Sequence, residues 1–358
     1  MAAARIALDA FGGDHCPRAE VQGAVEAARG GVHVVLVGDE RAIEAELASV
    51  PDRASLPLTI KHAPDRILMD DHPGRAIRAK PEASMPVCFD LVKRGEADTA
   101  MSAGNSNAMM ACGLFKYRRL RGVDRPAIVT SMPNRRGFTT LLDIGANVDC
   151  RPVNFVQWAV MGAVFNRFRH GKTVPKLGVL SNGTEDGKGT ELTRTVHALL
   201  SEHESPDFVY AGYAEGSGLF SGELDVIVTD GFTGNVALKV AEATGRLVAH
   251  WLREAVTAST IGKLGALLLK PSLRQLRENM NPDSYGAAPL LGVDGVAFIC
   301  HGGASPFAIA TALRLAVRSV DEALTPEVAD ALARNADLVA RAKEGPLVAT
   351  TATAEPTR

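Results

Sequence analysis

Residues 224–239 read LDVIVTDGFTGNVALK, and this stretch decides how the rest of the chain is interpreted. Its apolar run predicts a buried strand, and the glycine-spaced turn after the strand leads into a helical pattern. Gly231 and Gly234 let the backbone turn sharply and approach a ligand, and Asn235 is predicted to cap a helix whose free N–H groups attract anions. Asp230 follows the strand at its carboxyl end, where open parallel sheets bind ligands. It is either a site residue or the acceptor of a structural Asx turn.

The amino-terminal part of the chain repeats this order of strand, turn and helix. A short apolar strand at 5–9 runs into a glycine turn, and helical spacing follows over 18–29. A strand at 33–37, a helix capped by Asp39 and another strand at 58–61 continue the alternation. Such alternation predicts an α/β fold with a doubly wound, mostly parallel sheet.

Composition limits the classes of function. The chain has 358 residues, of which 46% are hydrophobic and 22% charged, as in a soluble protein with one large unit or two lobes. A formal net charge of −2 argues against a dedicated nucleic-acid binder. The five cysteines form no C-x-x-C pair, which favours free thiols in a reducing cytosol. The sequence shows neither a secretory leader pattern nor a run of about 18 apolar residues, so cytoplasmic residence is expected.

Six predicted strands end in short turns of Gly, Asn, Asp or His. If these strands are parallel, the turns share one edge whose N–H groups would bind an anion or stabilise developing negative charge. The histidine in this set is either a general base or acid, or a neutral side chain that holds its loop. The turns are Gly12-Gly13-Asp14, Gly104-Asn105, Gly145-Ala146-Asn147, Asn182-Gly183, Asp230-Gly231 and His301-Gly302.

The turn at 104–108, GNSNA, nearly matches the Gly-x-Ser-x-Gly nucleophile elbow of hydrolases. Ala108 replaces the last glycine of that pattern. Ser106 is therefore either a hydrogen-bond donor in an anion-binding loop, which we favour, or the nucleophile of a serine hydrolase.

The segment 181–190, SNGTEDGKGT, fails as a nucleotide P-loop. Asn182 and Gly189 stand where that motif needs a glycine and a Ser or Thr, so ATP or GTP hydrolysis is disfavoured. Lys188, between two glycines before a predicted helix, suits a phosphate; the alternative is an exposed lysine offset by the neighbouring acids.

The loop at 65–81 has no clear period and carries many charges, as a lid or binding loop would. Its Asp70-Asp71-His72 run lacks the defined spacing of a metal site, so we expect a solvated loop and no metal.

The segment 257–280 is predicted to be an amphipathic interface segment. Its apolar stripe is edged by lysine and arginine, which suits a membrane surface, a carrier protein or a second subunit. Beyond the main unit, a helix at 325–343 and a flexible tail at 344–358 are predicted. The expected contact residues are Ile261, Lys263, Leu264, Leu268, Lys270 and Arg274.

Several long motifs, in order and at similar spacing, make residues 5–324 resemble the PlsX family of phosphate acyltransferases. The resemblance implies an α/β catalytic unit, in one or two lobes, similar to isocitrate and isopropylmalate dehydrogenases and to phosphotransacetylases. Two stretches depart from the family pattern, at Asn107 and at 302–306. The motifs are LDAFGGDHCP (8–17), SAGNSNAMMA (102–111), LLDIGANVDCRP (141–152), NGTEDGKGTELT (182–193), LFSGELDVIVTDGFTGNVALK (219–239) and YGAAPLLGVDGV (285–296).

The resemblance implies reversible transfer of a fatty acyl group from acyl carrier protein to inorganic phosphate, giving acyl phosphate for phospholipid synthesis. It implies a homodimer without a cofactor, located in the cytoplasm and peripherally attached to the inner face of the cell membrane. A membrane glycerol-3-phosphate acyltransferase that uses acyl phosphate is a further implied partner.

The residues agree with that chemistry. Phosphate is largely dianionic at neutral pH, and a thiol is a good leaving group, so positioning suffices for direct attack. We expect Lys188 to hold phosphate, Asp230 to orient it or act as base, and Asn235 with the glycine amides to donate to the oxyanion. Arg118 and Arg119 would help to steer an acidic carrier protein. A serine esterase, a dehydrogenase and a non-catalytic carrier-protein or membrane adaptor remain as alternatives.

Overall fold

The computed structural model describes residues 4–185, 187–272, 274 and 287–344. The strands are β1 (Arg5–Asp9), β2 (His33–Gly38), β3 (Leu58–His62), β4 (Thr99–Ser102), β5 (Ala127–Asn134), β6 (Gly137–Leu142), β7 (Lys176–Leu180), β8 (Val209–Ala214), β9 (Val226–Val228), β10 (Ala288–Leu291) and β11 (Ala297–Ile299). The α-helices are α1 (Arg18–Arg29), α2 (Glu40–Leu47), α3 (Pro73–Ala79), α4 (Ser84–Lys93), α5 (Ser106–Cys112), α6 (Pro152–His170), α7 (Glu191–Ser201), α8 (Gly218–Ser221), α9 (Gly231–Thr257), α10 (Thr260–Leu268), α11 (Pro306–Asp321), α12 (Leu324–Arg334) and α13 (Ala336–Glu344).

Local sequence patterns account for many of these boundaries. β1, β9 and α1 have the predicted bounds, and the predicted cap of α2 is present. The Asp39 carboxylate accepts from the Arg41 N–H at 2.9 Å, which satisfies a free donor of the first turn. Phe155, Trp158 and Phe165 of α6 are at most 2% exposed, so this aromatic face belongs to the core.

One sheet joins the strands of the described residues in the order β3-β2-β1-β4-β11-β10-β5-β6-β9-β7-β8. The pairs on either side of its centre are parallel. At the centre, β10 is antiparallel to both β11 and β5, and β5 is antiparallel to β6. The predicted α/β fold with a mostly parallel sheet is confirmed, but its two parallel groups run in opposite directions.

The carboxyl ends of the two groups nevertheless approach one line. At each step from β4 across to β9, the residue that pairs with one neighbouring strand and the residue that pairs with the other lie at most two positions apart on the strand they share. Two positions correspond to roughly 7 Å along a strand. The prediction of one shared edge is therefore wrong in its geometry: two opposed edges face each other where the central strands reverse. The pairs that define this line are Ser102 with Ile299, Ile299 with Ala288, Leu290 with Ile128, Val129 with Leu142, and Leu142 with Val228.

The predicted start of α9 is wrong. The helix begins at Gly231, with Asp230 as its N-cap, so Asn235 lies inside the helix. Capping by Asp230 wins because its carboxylate reaches the N–H three residues on, and the glycines then fit within the first turn.

Two other segments also differ from expectation. Residues 73–79 of the predicted loop form α3, with Pro73 at its start, where a missing N–H costs nothing. The single helix predicted at 325–343 is two helices, α12 and α13, separated by the buried Asn335. The Asn335 amide donates to Asp207 at 2.9 Å, which fixes the break. The flexible tail was predicted at 344–358; Glu344 ends α13, and residues 345–358 and most of 273–286 lie outside the described residues.

The segment predicted to contact a membrane or a partner falls on the end of α9, on α10 and on the residues after it. Among the residues described, no helix is both long and apolar enough to cross a membrane.

Candidate active site

The first turn of α9 rests directly on the loop that follows β6. The Gly231 N–H donates to the carbonyl oxygen of Asn147 at 2.7 Å. A Cβ at Gly231 would lie 2.6 Å from that oxygen, and one at Gly234 would collide with the carbonyl oxygen of Asp143. A side chain at either position would force the helix away from the loop. Both glycines are therefore needed because they allow the two backbones to pack closely.

Asp230 caps α9 with both of its oxygens. Oδ1 accepts from the Thr233 N–H at 2.8 Å, and Oδ2 accepts from the Thr233 hydroxyl at 2.7 Å. The capping alternative is thus confirmed for the contacts that Asp230 makes. A catalytic role for the same carboxylate stays a prediction.

Asp143 holds the loop on which α9 rests, and the sequence analysis did not single it out. It is fully buried and accepts from the Asn147 N–H at 2.7 Å, the Asn147 amide at 2.9 Å and the Ile128 N–H at 3.1 Å. Burial raises the pKa of Asp143, although these donors favour the carboxylate. Asn147 also donates to the carbonyl oxygen of Pro126 at 2.8 Å, so its side chain organises the loop. The sequence contained one sign of this role: Asp143 directly follows a strand and stands three residues before Ala146.

The turns after β1, β4 and β11 pack against one another. The Asp14 N–H donates to the carbonyl oxygen of Gly302 at 2.9 Å. A Cβ at Gly12 would lie 2.8 Å from the Gly104 nitrogen, and one at Gly13 would lie 3.2 Å from the Gly302 oxygen. The structure therefore brings these predicted residues together on one of the two opposed edges.

Two buried carboxylates support this group of turns and were not predicted. Asp9 accepts from the Ser102 hydroxyl at 2.7 Å. Glu20 is 1% exposed, lies against Gly13, and its Oε2 has no hydrogen-bond partner in the described residues. Burial raises the pKa of Glu20 to about 7, and the charges of Asp9 and Asp14 contribute. The sequence sign of the burial of Glu20 was its position in α1 between the apolar residues Ala19 and Val21.

Asn105 and Ser106 start α5 and have different surroundings. The Asn105 side chain accepts from the Ala108 N–H at 3.1 Å and donates to the carbonyl oxygen of Met69 at 2.9 Å. It is buried and links α5 to the 65–72 loop. Ser106 is exposed, and no histidine or carboxylate is hydrogen-bonded to it within the described residues. That geometry favours the donor interpretation over the hydrolase one.

The 65–72 loop itself is held by ordinary contacts. Asp71 pairs with Lys80 at 2.7 Å and accepts from the Leu68 N–H at 2.9 Å. The lysine holds the pKa of Asp71 below its usual value. Across the described chain, no three His, Cys, Asp or Glu side chains are grouped so that they could hold a metal.

A cavity of about 1760 Å³ opens where the two opposed edges face each other. Its polar wall contains Ser106, Gly145, Asn235 and His301. Its other lining residues come from β5, α6, α8, α9 and α11. Apolar lining residues include Met132, Phe165, Leu219, Leu238, Val248 and Leu252.

The predicted residues are divided between this cavity, its supports and a separate loop. Asp230, Asn147 and the glycines of the predicted turns other than Gly145 do not line the cavity but shape the loops around it. Lys188 is exposed, in a turn closed by the Gly189 N–H donating to Asn182 at 2.8 Å, and neither Lys188 nor Asn182 lines the cavity. Their strand, β7, lies on the far side of β9 from β6, which separates this turn from the others.

Comparison with known proteins identifies the family. A family model described as "Fatty acid synthesis protein" matches residues 4–326. A phosphate acyltransferase from Anaeromyxobacter dehalogenans strain 2CP-C is 48% identical over 350 residues, which is 96% of each chain. Another from Geobacter sulfurreducens is 45% identical over 327 residues, covering 91% of this chain and 93% of the relative. The chain belongs to the phosphate acyltransferase family. It is therefore a transferase.

Solved structures show the fold that this phosphate acyltransferase shares with others. A phosphotransacetylase from Streptococcus pyogenes superposes with a TM-score of 0.59 at 15% identity, over 89% of this chain and 94% of that one. One from Staphylococcus aureus gives 0.57 at 14% identity, with the same coverage. The expected similarity to the phosphotransacetylase fold is confirmed. The expected similarity to isocitrate and isopropylmalate dehydrogenases stays a prediction.

Cations on the cavity wall of this phosphate acyltransferase were also missed. They lie in helical or hairpin segments, where sequence gives no sign that separate elements converge. Lys239 bonds Glu242 at 3.1 Å, and Arg246 lies 3.8 Å from the same carboxylate. The other lining cations are Arg135, Arg169 and Arg253.

Proposed function

We propose that this protein transfers a fatty acyl group reversibly from acyl carrier protein to inorganic phosphate, and that the acyl phosphate serves phospholipid synthesis. Family membership supports acyl transfer to phosphate. The observation that carries the rest is a cavity lined both by polar residues, among them Ser106, Asn235 and His301, and by a larger set of apolar side chains. A thioester carbonyl and phosphate need the first set, and a long alkyl chain needs the second.

The reaction is a direct displacement. An oxygen of hydrogen phosphate attacks the thioester carbonyl carbon, the C–S bond breaks, and its electron pair leaves on sulfur as the carrier thiolate. The proton lost by the phosphate passes through solvent or a base to that thiolate, so the products are acyl phosphate and the carrier thiol. Phosphate, with a second pKa of about 6, is already nucleophilic at neutral pH, and a thiol pKa of about 8.5 allows departure. The protein has to supply position and stabilisation of the oxyanion.

Asn235 and Ser106 line the cavity and are proposed as donors to the oxyanion or phosphate. His301 lines the same wall and is proposed as a further binding group. Asp230 is proposed to orient phosphate or act as base from the cap of α9. Lys188 is proposed to bind phosphate, although it is exposed outside the cavity wall, and Lys188→Met should raise the KM for phosphate if this is right.

The apolar wall is proposed to hold the acyl chain. Each buried methylene contributes about 0.8 kcal/mol, so several side chains along α9 can select a long chain over acetyl. Leu238 and Leu252 stand on that wall, and replacing either with aspartate should reduce kcat/KM more for long acyl chains than for short ones.

We propose a homodimer that associates with the inner face of the cytoplasmic membrane. Apolar side chains of α9 and α10 support this, with Trp251 57%, Ile261 83% and Leu268 76% exposed. Trp251→Lys should shift the species seen by sedimentation velocity toward monomer if α9 forms the dimer contact. Leu268→Glu should reduce co-sedimentation with vesicles containing anionic lipid if α10 meets the membrane. No change in either experiment would reject the corresponding proposal.

Acyl carrier protein is the proposed donor, and Lys263, Lys270 and Arg274 are proposed to steer it, together with Arg118 and Arg119. A membrane glycerol-3-phosphate acyltransferase is the proposed consumer of acyl phosphate. Reversing two of these charges, as in R118E/R119E, should raise the KM for acyl carrier protein without changing the KM for phosphate.

Thiol release from carrier protein that bears a long-chain acyl thioester, measured with and without phosphate, tests the proposed function. Hydroxylamine traps the acyl product in parallel samples. Phosphate-dependent release with a trappable acyl phosphate is expected. Release that ignores phosphate would indicate hydrolysis, and the Ser106→Ala variant would then identify its nucleophile.

A further inference from the structure

Arg169 lies on the cavity wall, and none of the described residues provides it with a counter-ion. It lies in the last turn of α6, is partly buried, and lines the cavity together with Phe165 and Leu315. No carboxylate or other hydrogen-bond acceptor in the described residues contacts its guanidinium. Burial lowers the pKa of Arg169, and the nearby charge of Arg318 lowers it further, so its surroundings oppose the cation.

The other basic side chains around this helix end are paired. Arg167 contacts Glu327 at 2.9 Å and Asp207 at 3.4 Å. Lys172 lies 3.6 Å from Asp225. Arg318 pairs with Glu322 and also lies over the Phe168 ring. Arg169 is thus an exception in a region that otherwise neutralises its cations.

Position in the fold offsets only a small part of this cost. The free carbonyl groups at the end of α6 favour a cation only weakly. Loss of water from a guanidinium beside apolar side chains, with a second guanidinium nearby, opposes that gain. A group that stays charged here is stabilised best by an anion that enters the cavity.

We infer that Arg169 is a binding group for the phosphate of a ligand that occupies the cavity, an inference that rests on the proposed function. The planar fork of arginine matches two phosphate oxygens at once, and a partly desolvated site strengthens such a pair. Phe165 and Leu315 would pack on the uncharged part of the ligand. The phosphate belongs either to inorganic phosphate with its acyl phosphate product, or to the pantetheine arm of the carrier protein.

The test compares Arg169→Met, Arg169→Lys and a matched control, Arg41→Met. Arg41 is an exposed arginine of α2 outside the cavity wall. Calorimetric titration with inorganic phosphate and, separately, with phosphopantetheine measures binding without any reaction. Steady-state assays then give KM for phosphate and for acyl carrier protein.

Arg169→Met should weaken the binding of one of the two probes, raising its Kd on the order of 10- to 100-fold, which is the scale of a lost hydrogen bond to a charged group. Arg169→Lys should fall between Met and wild type, because it keeps the charge and loses the fork. The probe that weakens identifies the source of the phosphate, and the corresponding KM should rise alike.

Unchanged binding of both probes would overturn the inference, as would a fall in kcat with both KM values unchanged. If wild type binds a probe but shows no phosphate-dependent thiol release, the proposed reaction fails while Arg169 is still tested by titration. Equal thermal unfolding of Arg169→Met and Arg41→Met would show that the loss is not due to misfolding.

Discussion

Asp230 combines a structural contact with a chemically useful position. Both carboxylate oxygens are occupied by Thr233, and the residue starts the helix that carries Asn235 into the cavity. Asn is as good an N-cap as Asp, so Asp230→Asn removes the charge and keeps the cap.

We expect Asp230→Asn to lower kcat roughly 100-fold or more if the carboxylate orients or deprotonates phosphate. Its free energy of unfolding should stay within about 0.5 kcal/mol of wild type, whereas Asp230→Ala should lose about 1 kcal/mol. Chemical denaturation and steady-state kinetics measure both. Full activity in Asp230→Asn would limit this residue to capping.

Glu20 should make stability depend on pH. Its carboxyl titrates near 4.5 when unfolded and at about 7 when folded, so the unfolded state loses its proton first as pH rises. The wild type therefore loses stability between those values and stays less stable above them. At about 1.4 kcal/mol per pH unit, the effect is roughly 3 kcal/mol.

Glu20→Gln removes this titration. Its free energy of unfolding relative to wild type should rise between pH 5 and pH 8, and urea denaturation at several pH values measures the difference. Glu26→Gln, on the same helix but paired with Arg314 near the surface, controls for loss of one carboxylate. A difference that is flat across this range would reject the raised pKa.

At the scale of elements, the start of α9 depends on close backbone contact. Gly234→Ala should reduce the free energy of unfolding by roughly 2–4 kcal/mol, because the added methyl group collides with the backbone at Asp143. Gly74→Ala in α3 is the control, since no atom beyond its own stretch of helix and its chain neighbours lies within 4 Å of the added Cβ, and it should change stability by less than about 1 kcal/mol. Equal effects of the two substitutions would contradict the proposed packing.

Sequence alone predicted the elements better than their assembly. Apolar periodicity and a capping Asp located β1, α1 and α2, since those signals act between residues close in the chain. The start of α9 was misplaced because Asp230 and Asn235 both suit a helix start, and only the contact with Asp143 and Asn147 decides between them. The buried Asp9 could not be assigned, because its partner Ser102 comes from a different strand, β4.

At the scale of the whole molecule, the site arises from a reversal of strand direction. β10 and the hairpin of β5 and β6 turn two parallel groups toward each other, so their carboxyl ends face one another across the cavity. Local patterns gave no sign of this reversal, because strand order and direction depend on contacts between residues that are far apart in the chain. Ser106, Asn235 and His301 reach this cavity, whereas Lys188 follows β7, which lies on the far side of β9 from β6.

The central claim is that phosphate attacks the thioester directly in this cavity. The most direct test mixes carrier protein that bears a long-chain acyl thioester with an excess of enzyme in phosphate-free buffer. Thiol release and the mass of each protein are followed before and after phosphate is added. The account predicts no release until phosphate arrives, followed by rapid release of the thiol and formation of acyl phosphate. Release of about one thiol per acyl carrier protein without phosphate, with the acyl group attached to the enzyme, would contradict it.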